Sequence, residues 1–525
     1  MTGANVLAYY MLIDSLSMRL KSPFWLIMLV WAQAAPGAAN FFYASPRGTP
    51  SGDGTIAKPW DLATALADNT SPASTNHVVR SGDTIWLRGG TYYDGGFRSK
   101  LTGSAGLPIT VKPYNGERAT IEATNASTYA LYVNGSWSTF WGIEIWNSDP
   151  NRWVFRGFGL FVNGANTKLI NLIVHDVGVG IYCSTTSTNS EIYGGVFYNN
   201  GCEYPEKEGQ AHSIYVHSAE PGTAIKENIM GNGFGYNLHC YSELGEPVNG
   251  LTIEGNVAVN AGVLNTNTSL GKIHLPNFLV GSHTPVANLV FNNNIGYQSA
   301  PDAYWNLSLG YQTYGNQNAV VSSNYIVGGK LFVGYWTNFT LINNTFAKFT
   351  TDSRYYPVAS SGAHIWDTNY YTDFKTVWTT DGANAFHLLA KWQAFSGFDS
   401  NSTLTTSAPT NAQIFVRANL YEPNRANIVV INWPTNDNVS VDVSGVLAVG
   451  ATYQIRNAFD YFASPVASGV YANGIISLPM TNLTVATPVG FNRPPPPTGP
   501  AFNVFILLNP TNVALQSPQD LRILK

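Results

Sequence analysis

Three short segments gather side chains that give and take protons. They are His212-Ser213-Ile214-Tyr215-Val216-His217, Tyr236-Asn237-Leu238-His239-Cys240-Tyr241-Ser242-Glu243 and Asn277-Phe-Leu-Val-Gly-Ser-His283. Four of the nine histidines of the chain fall within them. Imidazole and phenol are suited to general base and general acid work near neutral pH. Apolar and polar residues alternate in these segments, as in a strand buried on one face. The alternation buries Ile214, Val216, Leu238 and Cys240, and turns Ser213, Tyr215, His217, Asn237, His239, Tyr241 and Glu243 outward. With the strands parallel and in register, Ser213 lies beside Asn237, Tyr215 beside His239 and His217 beside Tyr241. Asn277 joins them on the third strand, with His283 near its end. His212 has inward parity but begins its strand, where it can face out at the turn. A register slip of one residue would move every group in the cluster to the other face.

Such a cluster needs a scaffold that stacks strands. From about residue 130 to 350 the sequence repeats a short apolar strand, a turn, and apolar-x-apolar-x-x-Asn/Gly followed by an apolar residue. Leu251-Thr-Ile-Glu-Gly-Asn256-Val, Leu289-Val-Phe-Asn-Asn-Asn294-Ile and Val320-Val-Ser-Ser-Asn324-Tyr follow it, with looser copies at Asn228 and Asn344. Gly142, Asn171 and Gly195 take the equivalent place upstream, and the spacing runs from 20 to 38 residues. Short strands at such a period mean a solenoid, in which each unit buries its inner face only by stacking on the next. The fold class predicted is all-β: a right-handed parallel β-helix with a small C-terminal β-sandwich. Asn at one turn of every coil is expected to form a hydrogen-bonded ladder that satisfies buried turn amides.

The segment ahead of the coils carries a family likeness. Phe42-Tyr-Ala-Ser-Pro-Arg-Gly leads to Lys58-Pro-Trp-Asp-Leu-Ala-Thr-Ala-Leu66. Ser81-Gly-Asp-Thr-Ile-Trp-Leu-Arg-Gly-Gly-Thr-Tyr92 and Leu107-Pro-Ile-Thr-Val-Lys-Pro-Tyr-Asn-Gly-Glu-Arg-Ala-Thr-Ile121 follow. Over residues 42–350 the chain resembles the pectate-lyase-like β-helix superfamily, above all polysaccharide-lyase members of the chondroitinase B and alginate lyase type. The resemblance implies an enzyme that cleaves a uronic-acid polysaccharide by β-elimination. That reaction needs a base for the proton beside the sugar carboxylate, an acid for the leaving oxygen, and a partner for the carboxylate. His217 or His239 is the candidate base and Tyr241 or Tyr215 the acid. Asn237, Asn277 and a protonated His212 are candidates for the carboxylate, and Ser213, Glu243 and His283 for further substrate contacts.

No Asp/Glu cluster suited to calcium stands on these strands, so no cofactor is expected, although calcium remains open. Lys226 and Lys272 lie off the three strands. Two other enzyme readings share the fold. A glycoside hydrolase needs two carboxylates roughly 5–9.5 Å apart, and Glu243 with Glu203, Glu206 or Asp176 is the local choice. A uronan epimerase shares the lyase's first step. A non-catalytic glycan-binding solenoid is the third alternative.

Charged residues make up 11% of the 525, with 27 basic against 31 acidic. This argues against a nucleic-acid partner; a polysaccharide partner and a monomer are expected. Arg19 and Lys21, the apolar run 24–31 and the small residues 32–39 have the order of a secretory signal. A secreted or periplasmic protein follows, free of the membrane once the signal is removed. The expected domains are a signal peptide over 1–39 (with 1–17 an extension if Met18 is the start), a capped β-helix over 40–365, a helical clasp or linker over 366–408, a β-sandwich over 409–510 and a tail over 511–525. The clasp reading rests on Trp392, Gly397, Asp399 and Ser402. The sandwich rests on alternating stretches at 414–420, 427–433, 439–443, 452–456, 475–478 and 502–508. Cys183, Cys202 and Cys240 allow at most one disulfide.

Overall fold

Three short strands and their corners make one coil. Lys168–Ile170, Ile173–His175 and Val179–Cys183 form one such coil. The next coil lays Glu191–Tyr193, Val196–Tyr198 and His212–Val216 parallel to them. The computed structural model describes residues 39–203, 211–266, 275–300, 305–311, 315–349, 353–356, 362–374, 378–380 and 384–510. The expected signal and tail lie outside these residues, as do Glu206 and Lys272. Among the described residues the coils build three sheets of twelve strands each. They are called here the first, second and third in the order the chain visits them. Inward columns fill the solenoid: Leu160, Ile181, Ile214, Leu238, Phe278 and Leu307 stack in register on the third sheet, all fully buried. Each such side chain contributes about 1.5–3 kcal/mol on leaving water.

The corner from first to second sheet holds two rows. In one the backbone is left-handed, at Gly142, Asn171, Gly194 and Glu227 among others. The next row is the asparagine ladder: Asn228, Asn256, Asn294, Asn324 and Asn344 each donate Nδ2 to Oδ1 of the following Asn at 2.8–3.1 Å, ending on Asn369. Each also donates to a carbonyl of the preceding coil. Gly142 and Asn171 therefore occupy the left-handed row and not the ladder row. Ile143 and Leu172 hold the ladder position in those coils, and both are buried in the apolar core. The motif reading was one residue off there because Gly and Asn also favour left-handed backbone.

The solenoid is closed at both ends. Helix Leu62–Ala65, capped by Asp61 on Thr64 N at 2.7 Å, buries Leu62, Ala65 and Leu66 in the first coils. At the other end the Asp399 carboxylate accepts hydrogen bonds from Trp392 Nε1, Tyr371 Oη, Ser402 Oγ and Asn369 Nδ2, so it terminates the ladder. The coils run beyond residue 365. His364–Asp367, Tyr370–Thr372 and Thr403–Leu404 still add strands to the first and second sheets, which moves the boundary with the segment expected as linker.

The C-terminal region is a five-stranded antiparallel sheet with a two-stranded sheet against it. Strands Ala426–Ile431 and Phe502–Leu508 are buried at every residue, whereas their alternation predicts half-buried strands. The cause is docking. One face packs on Val439, Val441 and Leu478 of the small sheet, and the other on Val196, Ile229, Val257 and Ile295 of the second sheet. A charged chain runs through this contact. Arg118 holds Glu144 with two bonds of 2.6 Å, Glu144 lies 3.1 Å from His175 Nε2, and His175 Nδ1 lies 2.7 Å from Asp176. Asp176 also pairs with Arg152 and accepts from Val489 N. Burial pushes the His175 pKa down, but hydrogen bonds to Asp176 and Glu144 outweigh it and raise the imidazole to about 9. Burial pushes Glu144 up, and the bonds from His175 and Arg118 overcome it and hold the carboxyl at about 2.

The three cysteines are free thiols. Cys183 and Cys240 share one inward column with Val216 between them. Two coil spacings of about 4.8 Å separate them, beyond the reach of a disulfide.

Candidate active site on the third sheet

The outer face of the third sheet carries a column of one residue per coil: Arg98, Tyr132, Phe161, Tyr182, Tyr215 and His239, all in register. The pairing of Tyr215 with His239 is the one the alternation predicts. The phenol rings of Tyr182 and Tyr215 have centroids 5.4 Å apart, and Tyr215 stacks on His239 at 5.3 Å. His217 stands between the two tyrosines, with Nδ1 3.1 Å from Tyr182 Oη and Nε2 3.1 Å from Tyr215 Oη. His239 is sandwiched between Tyr236 at 4.3 Å and Tyr241 at 4.9 Å, and its Nδ1 lies 3.3 Å from His212 Nε2. His212 packs on Tyr215, Tyr236 and His239, so it belongs to the outer cluster despite its parity. His283 and Tyr311 extend the patch against Tyr241.

Asn237, Asn277 and Ser213 are elsewhere. All three are buried, and Asn237 and Asn277 form a second ladder that continues to Asn306, with Nδ2···Oδ1 distances of 2.8 and 2.9 Å. Their amides also donate to Val259 O and Tyr297 O, at the ends of second-sheet strands. These residues cannot serve a substrate carboxylate on the wall. Simple alternation fails because the registered pairs skip this position: His212 pairs with Tyr236 and Ile214 with Leu238, while the residue between turns into the corner. Glycines fill the same place in earlier coils. A Cβ on Gly180 would meet Ser213 O at 2.3 Å.

Burial lowers all three histidines of the cluster. His212 is drawn down to about 3. His239 lies well below the ordinary value, through burial and the neighbouring His212 and His217. His217 is lowered by burial, with the Glu246 charge opposing it. The imidazoles are therefore neutral at pH 7, so His212 does not stand as the protonated partner expected for a carboxylate. Burial also pushes Tyr182 up to about 12 and raises Tyr215 and Tyr241. These phenols keep their protons at neutral pH and have them to give.

Glu243 is exposed beyond the strand end. Glu246, whose carboxylate accepts from Ser242 Oγ, was not singled out by the sequence, nor were Tyr182, Tyr236 and Tyr311. Tyr182 was legible, because Val179-Gly-Ile-Tyr182-Cys183 matches His212-Ser-Ile-Tyr215-Val216 position for position. Of the carboxylates weighed as partners for Glu243, Asp176 is committed to Arg152 and His175 on the second sheet. Glu203 is buried, with Oε1 accepting from Thr266 N at 2.8 Å. Among the described residues no three His, Cys, Asp or Glu side chains converge as a cation site requires.

Residues 42–272 match the family model of the Pel9A-like right-handed β-helix region. The matched stretch contains the coils that carry Tyr182, Tyr215, His217, His239 and Tyr241. Solved structures similar to the chain include pectate lyase Pel9A, at 15% identity over 70% of this chain and 78% of that one, with a TM-score of 0.35. An alginate lyase from Paenibacillus sp. str. FPU-7 is 17% identical over 63% of this chain and 98% of its own, with a TM-score of 0.38. A GH136 lacto-N-biosidase from Eubacterium ramulus is 13% identical over 63% and 68%, with a TM-score of 0.40. No curated protein matches the chain.

Proposed function

We propose that the chain is an exported carbohydrate-active enzyme, a polysaccharide lyase that uses the Tyr182–His217–Tyr215 group on the third sheet. The observation that carries this reading is His217, neutral and bonded through both ring nitrogens to phenols that face the wall. A neutral imidazole has one donor and one acceptor nitrogen, so it links the two phenols as a relay. In the elimination, Nδ1 gives up the hydrogen bond it accepts from Tyr182 and takes the proton from the carbon beside the sugar carboxylate, while Nε2–H stays on Tyr215. That electron pair forms the new carbon–carbon double bond, and the glycosidic carbon–oxygen bond breaks. The leaving oxygen takes its proton from Tyr215, and the imidazolium returns a proton to the phenolate, restoring the enzyme. Acid–base groups of this kind contribute about 10²–10⁴-fold each. Tyr132, Phe161 and Tyr241 offer flat faces to the sugar rings.

A glycan-binding solenoid is the second reading. It is favoured by the make-up of the outer column, where among the described residues Arg98 is the cation nearest Tyr215 and stands four coils away, roughly 19 Å at 4.8 Å per coil. A panel of uronate and neutral polysaccharides assayed for ultraviolet absorbance and for reducing ends separates the readings. Absorbance from a new double bond supports the lyase, reducing ends without it a hydrolase, and retention without turnover a binder.

A further inference from the structure

On another side of the solenoid, a cleft lies between the first-to-second-sheet corner and the C-terminal domain. Its volume is about 520 Å³, within the roughly 300–1,000 Å³ of small-molecule sites. One wall is an outward column of the first sheet: Trp86 pairs in register with Lys112, and Trp141 follows on the next coil. Glu422, Arg425, Tyr461 and Phe462 face them from the C-terminal domain. Trp86 and Trp141 stand two coils apart, roughly 10 Å. Lys112 Nζ lies between them, 4.6 Å from one ring centroid and 5.4 Å from the other.

The other charges of the lining are already paired. Arg118 is held by Glu144, Glu117 by Arg88 and Arg425 by Glu422. Among the described residues Lys112 alone of the lining cations has no carboxylate at ion-pair distance. Two indoles and an ammonium that lies between them without an ion pair, partly shielded from water and within the field of Glu422, suit a ligand with apolar ring faces and one negative charge. We propose that this cleft is a second saccharide site, taking a uronic-acid residue whose carboxylate pairs with Lys112 and whose ring lies on Trp86 or Trp141. It is built on the first sheet, away from the histidine wall, and does not depend on the reaction proposed there. An enzyme so equipped would hold an acidic polymer at a point separate from the point of cleavage.

Calorimetric titration of the full chain with trigalacturonate, a glucuronate trimer and neutral galactotriose tests this. At least one acidic trimer is expected to bind tenfold or more tightly than the neutral one, with affinity falling as salt rises. Lys112→Met should remove that preference, Lys112→Arg should keep it, and Trp86→Ala should weaken both kinds of ligand. Tyr215→Ala, on the wall, should leave this binding in place. Thermal unfolding of each variant separates lost binding from lost fold. Equal affinity for acidic and neutral trimers, no binding of any trimer, or an acidic preference that survives in a folded Lys112→Met protein would overturn the proposal.

Discussion

His217 and His175 sit on two faces of the same solenoid and meet opposite fates. His175 is enclosed by two carboxylates, Glu144 and Asp176, whose bonds overcome burial and keep it charged. His217 is enclosed by two phenols, and burial leaves it neutral. A buried imidazole flanked by acids and closed in by Arg118 and Arg152 has no free lone pair and serves as a cross-link. One flanked by phenols keeps a basic nitrogen at neutral pH and has proton donors beside it. Burial is common to both, so the partners decide which histidine can take up a proton.

The largest expected effect on stability comes from removing the charged member. His175→Ala leaves Glu144 and Asp176 buried without the cation between them, at a cost of about 3–5 kcal/mol, measurable by chemical denaturation. Its pH dependence sharpens the contrast. The folded value of about 9 lies above the ordinary 6.5, so the contribution of His175 is complete below pH 6.5 and is lost as pH rises through about 9. Glu144, at about 2 against an ordinary 4.5, contributes fully above pH 4.5 and loses this as pH falls toward 2. The gap in stability between wild type and His175→Ala should therefore be widest between pH 4.5 and 6.5. A gap that does not change from pH 6 to pH 9.5 would show that His175 is not charged.

Asn277→Ala separates scaffold from wall. It unpairs buried ladder groups and should cost about 1–3 kcal/mol while leaving turnover per folded molecule unchanged; a large loss of turnover at wild-type stability would put Asn277 back among the substrate contacts. Ser213→Ala is the smallest change. Among the described residues its buried hydroxyl has no hydrogen-bond partner, so stability should move by no more than about 0.5 kcal/mol, and turnover should hold.

Much of this was legible from the repeat. The coil period, the lateral pairing of Tyr215 with His239 and six of the C-terminal strands follow from alternation and turn residues. The errors within the coils share one cause, the corners. Alternation assigns Ser213, Asn237 and Asn277 to the outside, yet the strands bend at that position and fold them inward. Asn237, Asn277 and Asn306 recur at one strand position much as Asn256, Asn294 and Asn324 do at the first corner, and that recurrence was the available signal. The network around His175 and the cleft at Lys112 were hidden for a different reason. Both depend on how the C-terminal sheet lies along the coils, which joins residues about 300 positions apart, and no local pattern encodes that docking.

The claim that the neutral histidine wall does the chemistry is tested most directly by the rate of double-bond absorbance on a uronate polysaccharide, wild type beside His217→Ala, with thermal unfolding run on both. The expected result is a steady rise for wild type and a fall of at least a hundredfold for a variant that remains folded. A folded His217→Ala protein that produces the double bond at the wild-type rate would contradict it.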